Sequence, residues 1–395
     1  MDTLKPSWIV FSDDWGRHPS SCQYLFREIL RHEPVTWVNT IGMRTPRLDM
    51  ATLQRAWGKV FGSKSNQAAI KQSYASDPSP EPTVLNPKMW PWFTRRYDRA
   101  LNRLLLTKQL ARHIAQLPRP RIAVTTIPIV ADIIDTLDVD EWVYYCVDDF
   151  SVWPGLDQTT MKNMEAELAP KVDSIVAVSE VLQERLSVMG RGASLLTHGV
   201  DLNNWEIGSA EFEWPNGFQP QGKTLLFWGV IDPRLDTQFI QHLARERSAD
   251  TIVLVGPQQA PDPLIAHIEN LKTLDAVSPN VLAQMAQAAD CLIMPYRDAE
   301  VTRAMQPLKL KEYLATGKPV VVRDLPATRP WSESCDVATT AAEFAKATTA
   351  RMESGVLAEQ LEARSALQSE SWAAKAHKFR RLIMPAISQR ELPVA

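Results

Sequence analysis

The sequence predicts an α/β protein made of two doubly wound parallel-sheet domains, and three observations support that class. The chain has 395 residues, more than one hydrophobic core usually sustains. Short β-branched and aromatic runs alternate with amphipathic stretches of helical length, as in parallel β-α-β units. The alternation lapses over residues 201–222, a polar stretch with two prolines and two glycines near its end, and then restarts.

In the first half, apolar runs predict strands and amphipathic stretches predict helices. The strands are predicted at 7–12, 35–39, 122–126, 142–147, 174–179 and 194–197, and the helices at 97–116 and 180–189. Residues 44–92 fit neither pattern, since six prolines interrupt them. A segment of that kind is either a functional lid or a variable surface excursion, and both interpretations stay open.

In the second half, strands are predicted at 225–230, 251–255, 291–294 and 319–322, and helices at 236–247, 263–271, 281–288 and 308–316. We therefore expect a first domain over residues 1–205 and a second over 206–370. Residues 371–395 are expected to form a C-terminal helix that packs back on the first domain.

Composition excludes several classes of protein. A net charge of -3 gives no positive field for a nucleic-acid partner. The four cysteines are widely spaced, which argues against a zinc knuckle or a disulfide framework and fits a reducing compartment. The chain start does not resemble a signal peptide, and no apolar run has the length of a membrane span. We expect a cytoplasmic protein, which is compatible with peripheral association with the inner face of the cell membrane.

Residues 306–321 carry the chemistry. Pro307 suits the first turn of a helix, and Gly317 followed by Pro319 suits its end. In open α/β sheets, ligands bind beyond the carboxyl ends of the strands, where helix N-termini point. The N-terminal amides of a helix at 307–316 would attract a diphosphate there.

Two side chains of this helix extend that interpretation. Lys309 adds a full positive charge for the same phosphates, and Glu312 can accept hydrogen bonds from two vicinal ribose hydroxyls. Alternatively, Lys309 and Glu312 form an ion pair on a solvated helix face, worth about a few tenths of a kcal/mol. Their position at the crevice-facing start of the helix favours ligand binding.

The run Pro-Leu-Lys-Leu-x-Glu-Tyr-Leu-Ala-x-Gly-Lys-Pro-Val-Val at 307–321 resembles the donor-site signature of bacterial GT-B glycosyltransferases. It is most similar to the family 4-like branch of teichuronic-acid and exopolysaccharide synthesis. The resemblance implies two Rossmann-like domains facing a cleft, and transfer of a sugar from a nucleoside-diphosphate sugar to a glycan or lipid-linked acceptor. It also implies a retaining reaction, ribose binding by Glu312, and no metal or resident cofactor.

Other segments carry the same resemblance. Residues 227–236 resemble the strand and loop that open the donor domain, where Gly229 lets the backbone approach the ligand and Arg234 lies near the phosphates. Residues 253–257, with Gly256, resemble the second donor-domain strand, whose end approaches the base. Many retaining members carry a second glutamate eight residues before the first, but Ala304 stands there, unless Glu300 replaces it. The sugar and the stereochemical course therefore stay open.

Polar residues also follow two strands of the first domain. His18 follows the first strand and is a candidate to deprotonate or orient an acceptor hydroxyl, although it and Asp14 could simply shape the loop. Ser20 or Ser21 is the expected N-cap of the next helix. Asp148 and Asp149 follow the strand at 142–147, and one of them could act as a base or orient the donor sugar. The alternative for either carboxylate is a turn or cap.

An aromatic and basic cluster suggests a membrane contact. Trp90, Trp92 and Phe93 precede Arg95 and Arg96, a combination suited to an anionic membrane surface next to a lipid-linked acceptor.

Two other functions remain open beside the transferase. One is a nucleotide-sugar epimerase of the same fold, and the other is a non-catalytic GT-B module that binds a glycan or nucleotide-sugar. A NAD-type Rossmann enzyme is disfavoured, because no Gly-x-Gly-x-x-Gly follows a strand.

Overall fold

The computed structural model describes residues 5–17, 20–39, 80–205 and 212–390, with the backbone alone at 385–390. The chain divides into two compact units. The first comprises Met1–Thr197 together with Trp372–Ala395, and the second comprises His198–Ser371. The division after Thr197 lies eight residues before the boundary expected from the sequence.

The first unit is built on a parallel sheet, which in the described residues has seven strands. Their bounds are β1 Ser7–Ser12, β2 Val35–Asn39, β3 Thr83–Leu85, β4 Arg121–Thr125, β5 Glu141–Cys146, β6 Ser174–Ala177 and β7 Ser194–Leu195. The order is β3-β2-β1-β4-β5-β6-β7, so the winding reverses between β1 and β4. Such a reversal leaves a crevice at the carboxyl ends of the two strands.

Within the described ranges, the helices that connect these strands are α1 Ser21–Leu30, α2 Arg96–Ile114, α3 Gln158–Leu168 and α4 Glu180–Val188. The expected N-cap of α1 is confirmed, because the Ser20 hydroxyl accepts the backbone N–H of Gln23. Strands β1 and β5 are buried along their whole length. This matches the continuous apolar runs expected of strands covered on both faces.

The second unit repeats the same winding with six strands in its described part. They are β8 Thr224–Trp228, β9 Thr251–Val255, β10 Leu271–Leu274, β11 Cys291–Met294, β12 Val320–Arg323 and β13 Asp336–Ala338. The order is β10-β9-β8-β11-β12-β13, with the reversal between β8 and β11. The predicted fold class, two doubly wound parallel-sheet units, is confirmed.

The helices of the second unit are α5 Thr237–Glu246, α6 Pro279–Ala288, α7 Glu300–Ala304, α8 Leu308–Ala315, α9 Ala341–Ser354 and α10 Ala358–Ala363. The helix predicted at 263–271 is wrong, since a short 3₁₀ turn at Pro263–His267 leads into strand β10. Leu264, Ile265, Ile268 and Leu271 have the spacing of one face of a helix, although the segment does not form one. The stretch 201–222 belongs to the second unit, because Trp205 and Trp214 are buried in its core.

Helix α11, Trp372–Arg390, returns to the first unit. Its Trp372 ring stacks on Tyr24 of α1, with centroids 5.2 Å apart. About two helical turns further, the ring centroid of Phe379 lies 5.9 Å from that of Trp8 and 6.0 Å from that of Phe26. Aromatic burial of this kind fixes the last helix against α1. No helix of the described residues is long and apolar enough to span a membrane.

Candidate functional site

The candidate site of the second unit lies at the reversal between β8 and β11. The loops after these strands are joined by backbone hydrogen bonds, from Asp236 N–H to the Pro295 carbonyl and from Arg297 N–H to the Arg234 carbonyl. Helix α8 follows the second loop. The base of the site, its floor, is therefore formed by the ends of β8 and β11 and their two loops, which the sheet topology and the backbone hydrogen bonds hold in place.

Two glycines make this floor compact. Gly229 and Gly256 end β8 and β9 with φ of +141° and +142°, where side chains are strained. A Cβ on Gly256 would lie 2.1 Å from the Gly229 carbonyl oxygen. A Cβ on Gly229 would lie 1.9 Å from Lys309 Nζ. The absence of a side chain at Gly256 lets the two strand ends pack together, and its absence at Gly229 lets the Lys309 ammonium lie directly over the end of β8.

Lys309 is anchored above the sheet by aromatic rings. Its ammonium donates a hydrogen bond to the Tyr296 hydroxyl and lies 4.7 Å from the centroid of Phe227. Lys309 thus contacts a neutral hydroxyl and aromatic faces, instead of forming the ion pair with Glu312 that was the alternative prediction from the sequence. A cation with neutral partners keeps its charge for an anionic ligand.

Glu312 lies half-buried one turn further along α8. Its carboxylate accepts a hydrogen bond of 3.1 Å from the indole N–H of Trp228, the last residue of β8. Burial raises the pKa of Glu312, while the Trp228 hydrogen bond and the nearby Lys309 charge oppose that rise. The carboxylate is thereby held in one orientation beside the end of β8.

Trp228, Tyr296 and Tyr313 also contribute to the site, and no role was predicted for them from the sequence. The Tyr313 hydroxyl accepts the Trp228 backbone N–H at 3.0 Å, and the Trp228 ring stacks on Trp205 at 5.2 Å. Tyr296 holds Lys309 from the loop after β11. The available signal was position, because Trp228 directly precedes Gly229 and Tyr313 directly follows Glu312.

Arg234 lies in the loop after β8 and is largely buried. Its guanidinium bonds the Asp232 carboxylate, with Nη2 2.7 Å from Oδ2, and lies 3.8 Å from the Met305 sulfur. Arg234 is thus positioned beside the segment that leads into α8. The ion pair with Asp232 holds its orientation and neutralises part of its charge.

Pro307 lies directly before α8 instead of in its first turn. Its ψ of 118° is extended, and the helix begins at Leu308, one residue later than expected. The end of the helix is as predicted: Gly317 has φ +72° after the C-cap Thr316. Ala304, where a second glutamate was considered, is buried at the end of α7, and Glu300 is exposed at its start.

In the first unit, the two aspartates after β5 differ in their contacts. Asp149 is buried, accepts both the backbone N–H and the hydroxyl of Ser151, and lies 3.3 Å from Arg185 Nε. Arg185 also pairs with Glu165. Asp148 is more exposed than Asp149. These contacts suit Asp149 to the turn role considered for one of the pair.

His18 lies outside the described residues. Of the polar residues before it, Asp13 accepts hydrogen bonds from Ser12 and Gln23, and Asp14 pairs with Arg17. The described residues contain no group of three or more His, Cys, Asp or Glu that could hold a metal ion.

Comparison with known proteins agrees with this geometry. Residues 222–353 match the family model described as "Glycosyl transferases group 1". This match lies within the second unit, His198–Ser371. The matched segment includes the candidate site residues from Gly229 to Glu312.

A curated relative of the chain is the "Putative teichuronic acid biosynthesis glycosyltransferase TuaH" of Bacillus subtilis. It is 29% identical over 176 residues, which are 42% of this chain and 44% of the relative. The chain is therefore aligned with less than half of the length of that relative.

Solved structures are similar over nearly the whole chain. Sucrose-phosphate synthase from Thermosynechococcus elongatus gives a TM-score of 0.68 at 12% identity, covering 98% of this chain and all of that chain. Anabaena Alr3699/HepE in complex with UDP-glucose gives 0.64 at 11% identity, covering 97% and 99%. The chain therefore has the GT-B fold, and the segment similar to the group 1 family lies in its second unit.

Proposed function

We propose that the protein is a glycosyltransferase that moves a sugar from a nucleoside-diphosphate sugar to a glycan or lipid-linked acceptor in polysaccharide biosynthesis. One observation carries this proposal. Lys309, Glu312 and Gly229 meet at the strand reversal of the second unit, within the segment similar to the group 1 family, where a cation, a carboxylate and bare backbone adjoin one another. This is the chemistry that a diphosphate next to a ribose requires.

The donor is proposed to be a UDP-sugar. The Anabaena protein with the same fold is described in complex with UDP-glucose. In our chain the diphosphate would be bound by Lys309 and the first amides of α8, and two ribose hydroxyls would donate to Glu312. Gly256, which follows β9 and packs against the Gly229 carbonyl, is proposed to lie near the base.

The proposed chemistry is stabilisation of the leaving UDP. Breaking the bond between sugar and diphosphate places negative charge on the phosphate oxygens, where Lys309 and the helix N-terminus favour it. Arg234 is oriented by Asp232 and would add to this field. No metal is required in this scheme, and retention of configuration remains part of the proposal.

On the acceptor side, we propose Asp148 rather than Asp149 as the carboxylate that orients or deprotonates a reacting hydroxyl. The Asp149 oxygens are occupied by Ser151 and Arg185, which suits a residue that shapes the loop. His18 remains a proposed acceptor-side residue. A lipid-linked acceptor would place the protein on the inner face of the cell membrane.

A non-catalytic module or an epimerase is the second candidate, and one observation favours it. Ala304 is buried where many retaining relatives have a sugar-contacting glutamate. A protein without that contact could bind the nucleotide without transferring the sugar.

Turnover separates these functions. The full chain is incubated with UDP-glucose and other UDP-sugars, with and without polysaccharide fragments or lipid-linked glycans, and released UDP is measured. We expect release only when an acceptor is present, and a loss of at least tenfold in Lys309→Met, because a charged contact is worth about 1.5–3 kcal/mol. A new UDP-sugar formed without acceptor would identify an epimerase, and UDP binding without turnover would identify a binding module.

A further inference from the structure

Helix α2 of the first unit exposes an apolar stripe. Tyr97, Leu101 and Leu104 are 60%, 37% and 65% exposed, and their spacing places them on one face of the helix. The opposite face, including Asp98, Leu106 and Leu110, is buried. Helix α2 therefore packs through one face and also exposes apolar side chains along part of the side that faces solvent. An exposed apolar stripe of this kind indicates an interaction surface.

Cations border the stripe. Arg96, Arg103, Lys108 and Arg112 are exposed along the same helix. The only acidic residue in the sequence between positions 82 and 131 is Asp98, which is buried and accepts the Trp90 indole N–H at 2.8 Å. Asp132 and Glu167 on neighbouring elements pair with Arg99, on the flank of the helix. The solvent side of α2 therefore combines apolar side chains with positive charge.

The surface differs from the one expected from the sequence. Phe93 is 3% exposed and packs with Ile129 and Met161 in a buried cluster. Trp92 is half-buried, with its ring 4.8 Å from that of Trp90. Trp90 is 39% exposed and donates its indole N–H to Asp98 of α2, so the expected aromatic residue lies beside the exposed apolar residues of the helix.

We propose that the α2 face, defined by Tyr97, Leu101 and Leu104 with the four bordering cations, docks on an anionic lipid bilayer. Apolar side chains would enter the boundary between headgroups and acyl chains, and the long cationic side chains would reach lipid phosphates. A second copy of the chain fits less well, since pairing this face with itself would oppose like charges. Membrane docking would bring the protein to the lipid-linked acceptor of the proposed reaction. The biological role of the docking therefore rests on the proposed function, whereas the docking itself rests on the α2 face.

Vesicle flotation tests the docking with the full chain. Vesicles are made from phosphatidylcholine alone or mixed with phosphatidylglycerol, at low and high salt. We expect binding to the anionic vesicles that weakens with salt, because screening reduces surface electrostatics. Leu101→Ser with Leu104→Ser should weaken partitioning at least tenfold. Arg96→Glu, Arg103→Glu and Lys108→Glu together should weaken it more than a hundredfold, from about fivefold for each charge.

Matched controls carry equal changes on other exposed surfaces. Leu357→Ser with Leu361→Ser removes two exposed leucines of the second unit, and these side chains are 40% and 47% exposed. Lys272→Glu, Lys346→Glu and Lys378→Glu reverse three exposed charges elsewhere. Both controls should float like the unchanged protein.

Three results would overturn the docking: no flotation, equal flotation with neutral vesicles, or α2 variants that float like the controls. A change in mass by light scattering in the α2 variants would instead identify a face between copies. Calorimetry with UDP separates this proposal from the function. Intact UDP binding without flotation overturns the docking alone, whereas flotation without UDP binding leaves the docking and overturns the donor assignment.

Discussion

Glu312 is oriented by a residue of a different element, and this matters for binding at the scale of single residues. The indole N–H of Trp228 fixes one carboxylate oxygen, and Tyr313 fixes the backbone of Trp228. Burial raises the pKa of the carboxylate, so it is a stronger hydrogen-bond acceptor than an exposed glutamate. A ribose whose hydroxyls donate to Glu312 meets a group that loses little freedom on binding.

Replacing Glu312 with alanine should weaken UDP binding. The expected loss is roughly 1–3 kcal/mol, as for hydrogen bonds to a charged group, or about 5- to 150-fold in Kd by calorimetry. Glu333→Ala is the matched control, because Glu333 is an exposed glutamate of the same unit. Equal affinity in the two variants would remove Glu312 from the donor site.

At the scale of elements, helix α8 carries two lysines with different surroundings. Lys309 lies over the end of β8 with neutral partners. Lys311 is 2% exposed and donates to the His198 carbonyl and to the Glu370 carboxylate. His198 and Glu370 lie near the two positions where the chain passes between units. One helix thus supplies both a candidate ligand contact and a buried structural cation.

The two lysines should separate binding from stability. Lys311→Met removes the cation that pairs with the Glu370 carboxylate. The free energy of unfolding should fall by roughly 3–5 kcal/mol, measured as a lower urea midpoint. Lys309→Met should change that midpoint little and weaken UDP binding. The reverse assignment, with Lys311→Met reducing affinity at unchanged stability, would show that the roles have been exchanged.

Strands and helices with a clear pattern of apolar residues could be predicted from the sequence, and those with a weak local pattern could not. Strands β1, β5 and β9 are continuous apolar runs, so their positions were expected to within about a residue. Strand β3 is three residues long in a proline-rich stretch, and β10 follows a turn with a helix-like pattern. Their strand state depends on pairing with β2 and β9, which one segment alone does not encode.

The candidate site follows the same rule. Lys309 and Glu312 could be selected because they lie within a recognisable helix start. Tyr296 and Trp228 act through contacts across 13 and 84 residues of sequence, respectively. The position of Trp228 directly before Gly229 marks it as a neighbour of the site, but its contact with Glu312 depends on the fold. The different contacts of Asp148 and Asp149 likewise depend on Arg185, which lies on α4.

At the scale of the whole molecule, the two units share the same doubly wound strand order. Both sheets reverse after their first strand, so each unit has a crevice at the carboxyl ends of its central strands. The site residues with the most complete contacts lie in the second unit, and the candidates for acceptor chemistry lie in the first. Helix α11 completes the first unit through Trp372 and Phe379 after the second unit is finished.

Hydrogen–deuterium exchange of the full chain with and without UDP tests the central claim most directly. Bound ligand slows exchange where it stabilises the backbone. We expect the strongest protection at residues 228–236, 255–258 and 305–312, which surround the end of β8. Strongest protection in the loops after β1 or β5, under conditions where calorimetry shows UDP bound, would contradict a donor site in the second unit.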